Sequence, residues 1–272
     1  MATRVLDNVK FYVDEFDLST DMNQHTISAN VDAVENTTFG SSSRTYLPGL
    51  MSVTHSHSGF FDSDGTGEPD DVLFGNQNLI VTVAPETGTA GEVAYITQSV
   101  KSDNTVLEGS VGDMAGFAFS GQGTGQHVRA AILVDAGTAL TSSSTGSVLF
   151  APGGIAANEM GYAALHVVSA SAGDTLDVVI ESDSTVGFGS AASQITFTQA
   201  TGVTSQWATV AGAVTDTFWR ADYTIAGDGG ESFLFIVSFG ITAASAPLLL
   251  ASATPTPAAF SLAMTAPQVA TP

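Results

Sequence analysis

Apolar and polar residues alternate in short stretches along most of the chain, and clusters of Gly, Asn, Asp and Ser separate these stretches. An alternation with a period of two is typical of strands that bury one face. The predicted strands cover residues 9–13, 26–31, 52–58, 78–83, 93–99, 115–120, 127–134, 147–150, 162–169, 176–182, 194–198, 206–210, 218–225 and 232–241. Short strands at such regular spacing predict a β-sandwich or a β-barrel, so we assign the chain to the all-β class.

Two segments depart from this alternation. Residues 233–237 are continuously apolar, which predicts a central strand covered on both faces. Residues 70–74 follow Pro69 and precede Gly75, and acidic side chains stand at their start. This arrangement predicts one short helix.

The glycine-rich stretch 121–125 is the predicted hinge between two halves of similar length and pattern. We therefore predict two β-sandwich or barrel-like domains in tandem, at 1–121 and 122–243. An uncharged arm rich in Pro and Ala follows at 244–272, and its prolines argue against a membrane-spanning helix. Residues 1–10 carry charges and no apolar segment, so we expect no signal peptide.

Charge narrows the range of functions. Six Lys and Arg residues face 27 Asp and Glu residues, which gives a net charge of −21. A surface that holds nucleic acid by neutralising phosphates is therefore not expected, although an acidic channel would let DNA slide past without sticking. The sequence has no cysteine, which excludes disulfides and thiolate sites.

The acidic stretch 62–71 begins with the pattern Asp-x-Asp-Gly, which resembles the start of a calcium loop. A calcium loop continues with a third oxygen ligand at its fifth position and a bidentate acid at its twelfth, and these positions hold Thr66 and Leu73. A solvated turn is thus the favoured interpretation and calcium the alternative. The candidate calcium ligands are Asp62, Asp64, Asp70 and Asp71.

Other chemistry has little support in the sequence. His55 and His57 lie on one face of a predicted strand, and such a pair can hold a metal. Because no third ligand is evident, we favour two partly exposed strand histidines, which at a subunit contact would make it pH-sensitive. No Walker motif, dinucleotide fingerprint or nucleophile elbow occurs, so we predict no catalytic residue, no cofactor and no enzyme.

The most specific pattern spans residues 36–62. It consists of a Thr-Thr-Phe-Gly loop, an arginine, Leu-Pro-Gly-Leu, an alternating strand and Gly-Phe-Phe-Asp. The Pro48-Gly49 pair predicts a type II turn, because Pro fixes φ and Gly accepts a positive φ. Further segments follow at 111–113 (VGD), 117–125 (FAFSGQGTG), 162–168 (YAALHVV), 180–183 (IESD), 187–188 (GF) and 215–220 (TDTFWR).

In their order, these motifs resemble the tail tube (major tail) proteins of long-tailed bacteriophages, over about residues 5–243. The resemblance implies a structural virion protein, made in the host cytoplasm, whose subunits close into a ring with a continuous inner β-barrel. Stacked rings form a tube that conducts DNA to the host without binding it specifically. The implied partners are other copies of the chain and the tail terminator, tape measure and distal tail proteins, with no membrane.

The number of subunits in a ring stays open. Rings of this family commonly show six domains, so two tube-like domains in each chain imply a homotrimer with pseudo-sixfold symmetry, which we favour. A single tube-like domain implies a homohexamer. The candidate contact residues between subunits are Phe39, Gly40, Arg44, Tyr46, Leu47, Pro48, Gly49 and Arg220, and the two arginines are equally compatible with pairs inside one chain.

Two other functional classes remain as alternatives. One is a different ring or decoration protein of a virion, such as a tail terminator, whose rings do not stack. The other is a calcium-dependent, carbohydrate-binding β-sandwich, which would act as a monomer.

Calcium binding is directly testable. Because positions five and twelve of the acidic loop lack the expected acidic ligands, adding calcium or EDTA is expected to leave the melting temperature unchanged. Thermal unfolding of the purified chain measures this. A rise in melting temperature with calcium, reversed by EDTA, would favour the carbohydrate-binding alternative.

Overall fold

The computed structural model describes residues 8–61, 72, 74–75, 77–135, 137–145 and 151–243. In these ranges the chain is all-β, as predicted, and Val72 and Phe74 are helical. The strands are β1 (Lys10–Val13), β2 (Phe16–Asp17), β3 (Met22–Glu35), β4 (Tyr46–Phe60), β5 (Asn78–Ala84), β6 (Val93–Glu108), β7 (Gly116–Val134), β8 (Ser144–Thr145), β9 (Glu159–Ala170), β10 (Thr175–Asp183), β11 (Ala192–Thr196), β12 (Thr204–Ala211), β13 (Phe218–Ala226) and β14 (Phe233–Ala243).

Most strands belong to one large antiparallel sheet. Its order is β12-β9-β14-β7-β6-β5-β1-β2. Strand β4 also pairs with β7, and β3 pairs with β4, so these two strands branch from the sheet at β7. A smaller sheet has the order β11-β10-β13-β8. Adjacent strands in both sheets are antiparallel, as expected for a chain whose strands follow one another through short connections.

Strand β7 is the longest strand, and it connects the two parts of the large sheet. Its first half lies between β4 and β6, and its second half lies between β14 and β6. Phe117 and Phe119 in the first half pack into a core cluster with β1 and β5, whereas Val128 and Ile132 pack into a different cluster.

The expected hinge at residues 121–125 is instead part of β7. Its glycines have a packing role, because a Cβ at Gly121 would overlap the His55 ring and a Cβ at Gly123 would lie 2.7 Å from Val53 Cβ. Glycine in a strand interior often marks such a close approach. The division into domains at 1–121 and 122–243 stays a prediction, and β7 runs across its boundary.

The large sheet curls, so that β9 approaches β1 and β5. His166 on β9 contacts the Thr82 hydroxyl of β5 at 2.7 Å and the Asp14 carbonyl at 2.6 Å. The Ser205 hydroxyl of β12 donates to the Asp14 carboxylate at 3.3 Å. An apolar cluster that includes Tyr12, Ile96, Val128 and Ile236 fills the space enclosed by the curl.

The smaller sheet packs on the other face of β9 and β14 and forms a sandwich. Trp219 is fully buried there, 4.7 Å from the Phe239 ring, and its indole N–H donates to the Gly153 carbonyl at 3.0 Å. Strand β14 lies between β9 and β7, with Phe235 and Ile236 buried toward opposite clusters. The prediction of a central strand at 233–237 is confirmed.

Several predictions fall partly or wholly outside the described residues. These are most of the short helix at 70–74, the strand at 147–150 and the arm at 244–272. In the described ranges, no helix has the length and apolar character needed to cross a membrane.

Asp14 lies where β9 and β12 approach β1 and β5, and its ionisation makes the stability of the fold depend on pH. Burial raises the pKa of its carboxyl to about 6, although the Ile80 amide and Ser205 hydroxyl donate to it. A carboxyl with a raised folded pKa contributes stability below about pH 4 that is lost as the pH rises through about 6.

Replacing Asp14 with Asn removes the ionisable carboxyl and therefore the loss of stability as the pH rises. The amide keeps an acceptor for the Ile80 N–H, and Asn tolerates the positive φ of 50° at this position. Asp14→Asn is expected to raise the free energy of unfolding at pH 7.5 by about 1–2 kcal/mol, with little change at pH 4. Urea unfolding at both pH values measures this, and an equal effect at both would contradict a buried carboxylate as the cause.

Candidate assembly interface

Strands β3 and β4 extend beyond the large sheet. Residues 54–60 of β4 pair with β7, whereas within the described part of the chain residues 46–53 pair with β3 alone. We call residues 30–52, which comprise the outer parts of both strands and their turn, the projecting ribbon. A two-stranded ribbon has no sheet partner to cover its faces, so its side chains are available for contacts outside the chain.

The turn of the ribbon spans residues 36–45, which is the predicted loop. The Asn36 N–H donates to the Thr45 carbonyl and the Thr45 N–H to the Thr37 hydroxyl, each at 3.0 Å. Gly40 has a φ of +93°, which glycine adopts without steric cost. Polar side chains and one glycine therefore build the turn.

The predicted type II turn at Pro48-Gly49 is wrong, because both residues lie inside β4. The pairing with β3 shifts here, since Val31 pairs with Met51 and Ala33 with Pro48. Such bulges tolerate a proline, which cannot donate to the ladder. Gly49 is needed for close approach, because a Cβ there would lie 2.9 Å from Asp32 Cβ.

The ribbon exposes large apolar side chains. Phe39 at the turn is fully exposed and Leu50 is 72% exposed. The other exposed apolar residues of the ribbon are Val31, Val34, Tyr46, Leu47 and Met51. Single exposed apolar residues are common, but several of them on one projecting element are typical of an interaction surface.

A second exposed apolar group lies at the opposite end of β4. The β4 residue Phe60 pairs with Gly116, so the loop at 109–115 adjoins that end, whereas the ribbon turn adjoins Tyr46. Val111 and Met114 in this loop are exposed. The fifteen residues of β4 span on the order of 45 Å between the ribbon turn and this loop.

The two candidate arginines have different surroundings. Arg44 lies 3.8 Å from Glu35, and both side chains are largely exposed, so this ion pair contributes little to stability. Arg220 is mostly buried, donates twice to one Glu181 oxygen at 2.8 and 2.9 Å, and lies over the Phe188 ring. Its partner inside the chain satisfies it, and its contact with another copy stays a prediction.

The structure corrects the expectation of partly exposed histidines, because it buries both His55 and His57. His57 contacts both His55 and His25, and Gly121 of β7 leaves room for the His55 ring. Among the described residues no group of three His, Asp or Glu side chains is arranged to hold a metal. The calcium candidates Asp62, Asp64, Asp70 and Asp71 lie outside the described residues.

The sequence reasoning identified the ribbon turn but missed the exposed apolar residues Val31, Val34, Leu50, Met51, Val111 and Met114. Their apolar character alone gives no signal of exposure, because large apolar side chains are most often buried. Among the described strands β3 pairs with β4 alone, and this accounts for the exposure of the residues on the ribbon.

No family model matches the chain, and no curated protein matches it. Among solved structures it is similar to a chain of the "Virion of native gene transfer agent (GTA) particle", with a TM-score of 0.37 and 17% identity over 47% of this chain and 98% of that chain. It is also similar to a chain of the "Tail of empty GTA particle computed with helical refinement, C6 symmetry", with a TM-score of 0.34 and 19% identity over 40% of this chain and 81% of that chain. Similarity at these scores carries no argument about this chain.

The exposure of Phe39 predicts that its ring does not stabilise the single chain. Phe39→Ser is expected to change the free energy of unfolding by less than about 0.5 kcal/mol, because the ring has no buried area to lose. Urea unfolding at a concentration where the chain is monomeric measures this. A loss above about 1 kcal/mol would show that the turn packs against its own chain.

Proposed function

We propose that the chain is a structural subunit of a phage tail that polymerises as stacked rings into the DNA-conducting tube. The observation that carries this proposal is the pair of exposed apolar groups at opposite ends of β4, on the projecting ribbon and on the loop at 109–115. The ordered motifs of the sequence support it.

Two different surfaces at opposite ends favour a head-to-tail contact. In such a heterologous contact the ribbon of one copy docks on the opposite end of the next copy, and repetition produces a ring or an open helical stack. Phe39 and Leu50 would bury apolar surface in this contact. The ribbon also carries most of the candidate contact residues, including Gly40, Arg44 and Tyr46.

Ring closure requires contacts at the sides of the subunit. The ends of the large sheet at β12 and β2 approach one another at Asp14, whereas among the described strands β3 pairs with β4 alone and has a free edge. Free edges pair readily with strands of other chains, and closure of a barrel across subunits removes them. We propose three chains with pseudo-sixfold symmetry for each ring, with six chains as the alternative.

The charge of the chain suits a conduit. With a net charge of −21, a lumen lined by its acidic side chains would repel phosphates and let DNA pass without binding. The partners proposed at the ends of the tube are the tail terminator, tape measure and distal tail proteins. We propose the virion as its location and no enzymatic activity.

Substitution of the ribbon turn tests the proposed contact. Phe39→Ser removes a fully exposed ring, and we expect at least a tenfold rise in the concentration needed for assembly, since the contact loses one apolar anchor. Light scattering across a concentration series measures this.

Val203→Ser is the matched control, because Val203 is also exposed but lies between β11 and β12, away from the ribbon. It is expected to assemble like the unmodified chain. Equal assembly of all three chains would contradict the role of the ribbon. Closed rings that never stack would favour a tail terminator or a decoration protein.

A further inference from the structure

Three of the five histidines form a continuous chain of contacts at the base of the projecting ribbon. His25 lies on β3, and His55 and His57 lie on the facing strand β4. His55 Nε2 is 2.7 Å from the Ser99 hydroxyl, His55 Nδ1 is 2.6 Å from His57 Nε2, and His57 Nδ1 is 2.8 Å from His25 Nδ1. We call this row, from Ser99 to His25, the imidazole chain.

The geometry of the imidazole chain suits neutral rings. A neutral imidazole has one donor and one acceptor nitrogen, so all three contacts can be hydrogen bonds when every ring takes the same orientation along the chain. His57 uses its two nitrogens on two different neighbours, so the three rings do not converge on one point. The arrangement is therefore a hydrogen-bonded row and differs from a metal site.

The surroundings disfavour charge on these rings. His57 lies 4.5 Å from the Phe11 ring and 4.7 Å from the Phe119 ring, and His55 and Ser99 are almost fully buried. Because both side chains are buried, a substrate could not reach the contact between Ser99 and His55. His25 lines an open cavity of about 290 Å³, which gives protons a route to the chain.

Burial lowers the pKa values of His25 and His55 to about 4, and that of His57 well below its usual range. The charges that add to this effect are those of the chain members and of His127 on β7. Of the other charged groups nearby, Lys10 on β1 lines the same cavity, and Asp17 accepts from Ser19, another lining residue. Lys101 on β6 donates to the Val72 carbonyl.

The imidazole chain can accommodate one added proton by a change of tautomers, but a second added proton breaks its pattern of hydrogen bonds. A protonated ring donates from both nitrogens, so each neighbouring ring must present its acceptor nitrogen to it. A second proton leaves two donor nitrogens facing one another. The added charge also lies between two phenylalanine rings, where it has lost its water. Moving the β3–β4 pair away from β1, β6 and β7 at this point restores water to all three rings.

We propose that the imidazole chain is an acid-sensitive latch, which holds the base of the projecting ribbon closed near neutral pH and lets it open on acidification while the sandwich around Trp219 stays folded. The latch acts within a single chain, so it does not depend on the ribbon docking on another copy.

The direction of the pH effect follows from the bound protons. The open state takes up protons near pH 6.5, whereas the closed state resists them to about pH 4, so closure is fully favoured above about pH 6.5 and weakens as the pH falls. Each histidine contributes up to about a tenfold increase in the opening constant per pH unit. Three histidines give an opening constant that rises with about the third power of the proton concentration.

Thiol labelling measures this opening locally, because the sequence contains no cysteine of its own. Val53→Cys reports on the base of the ribbon and Val178→Cys on the sandwich, and both positions are buried. The probe is 2,2′-dithiodipyridine, which reacts with thiols at acidic pH. The labelling rate of the unfolded chain at each pH serves as the reference for the reactivity of the thiol itself. We expect labelling at residue 53 to accelerate steeply between pH 6.5 and 4.5 while residue 178 stays protected. Equal acceleration at both positions would overturn the latch.

A histidine variant identifies the groups responsible. His25→Phe with His57→Phe keeps aromatic rings against Phe11 and Phe119 and removes two of the three protons, so the slope of log opening constant against pH should fall from about three to about one. The matched control is His166→Gln, because His166 is also buried with a pKa lowered to about 4 but contacts Thr82 instead. A slope at residue 53 that falls as much in the control as in the double variant would contradict the proposal.

A second measurement applies even if the double variant fails to fold. Nitrogen-15 labelling of the five histidines gives five imidazole signals in the unmodified chain. The three rings of the imidazole chain, like the ring of His166, should stay neutral, each in one tautomer, down to below pH 5.5. Protonation of these three above pH 6 without loss of the closed ribbon would overturn the latch.

Discussion

The close packing of β7 against β4 is the contact on which the rest of this structure depends. Gly121 and Gly123 have no side chains, and the space they leave is filled by the His55 ring and by Val53. Bulkier residues at these positions would push β4 away from the sheet. Because β7 also continues into the sandwich, the same strand fixes the ribbon on one side and the second core on the other.

This placement accounts for both features that we assign to the ribbon. Its outer part is exposed because β4 extends beyond the end of its pairing with β7, and its base is buried because β4 and β7 meet there without intervening side chains. An exposed apolar surface and a buried row of histidines thus lie on the same pair of strands. Whatever changes the base also changes the orientation of the surface.

The sequence predicted the all-β class and the position of most strands, since alternation directly reports a buried face. It failed where glycine and proline had packing roles. The glycines at 121–125 were interpreted as a hinge and Pro48-Gly49 as a turn, but both lie inside long strands, where close approach and a bulge require them. The burial of His55 and His57 could not be predicted either, because it depends on His25 and Ser99, which come from distant parts of the sequence.

Negative-stain electron microscopy of the full chain at raised concentration is the most direct test of the account. The account predicts long hollow tubes with a regular ring repeat, and averaged end views would decide between three and six chains in each ring. A steady monomer that never assembles, even after removal of the residues beyond 243, would contradict the tube.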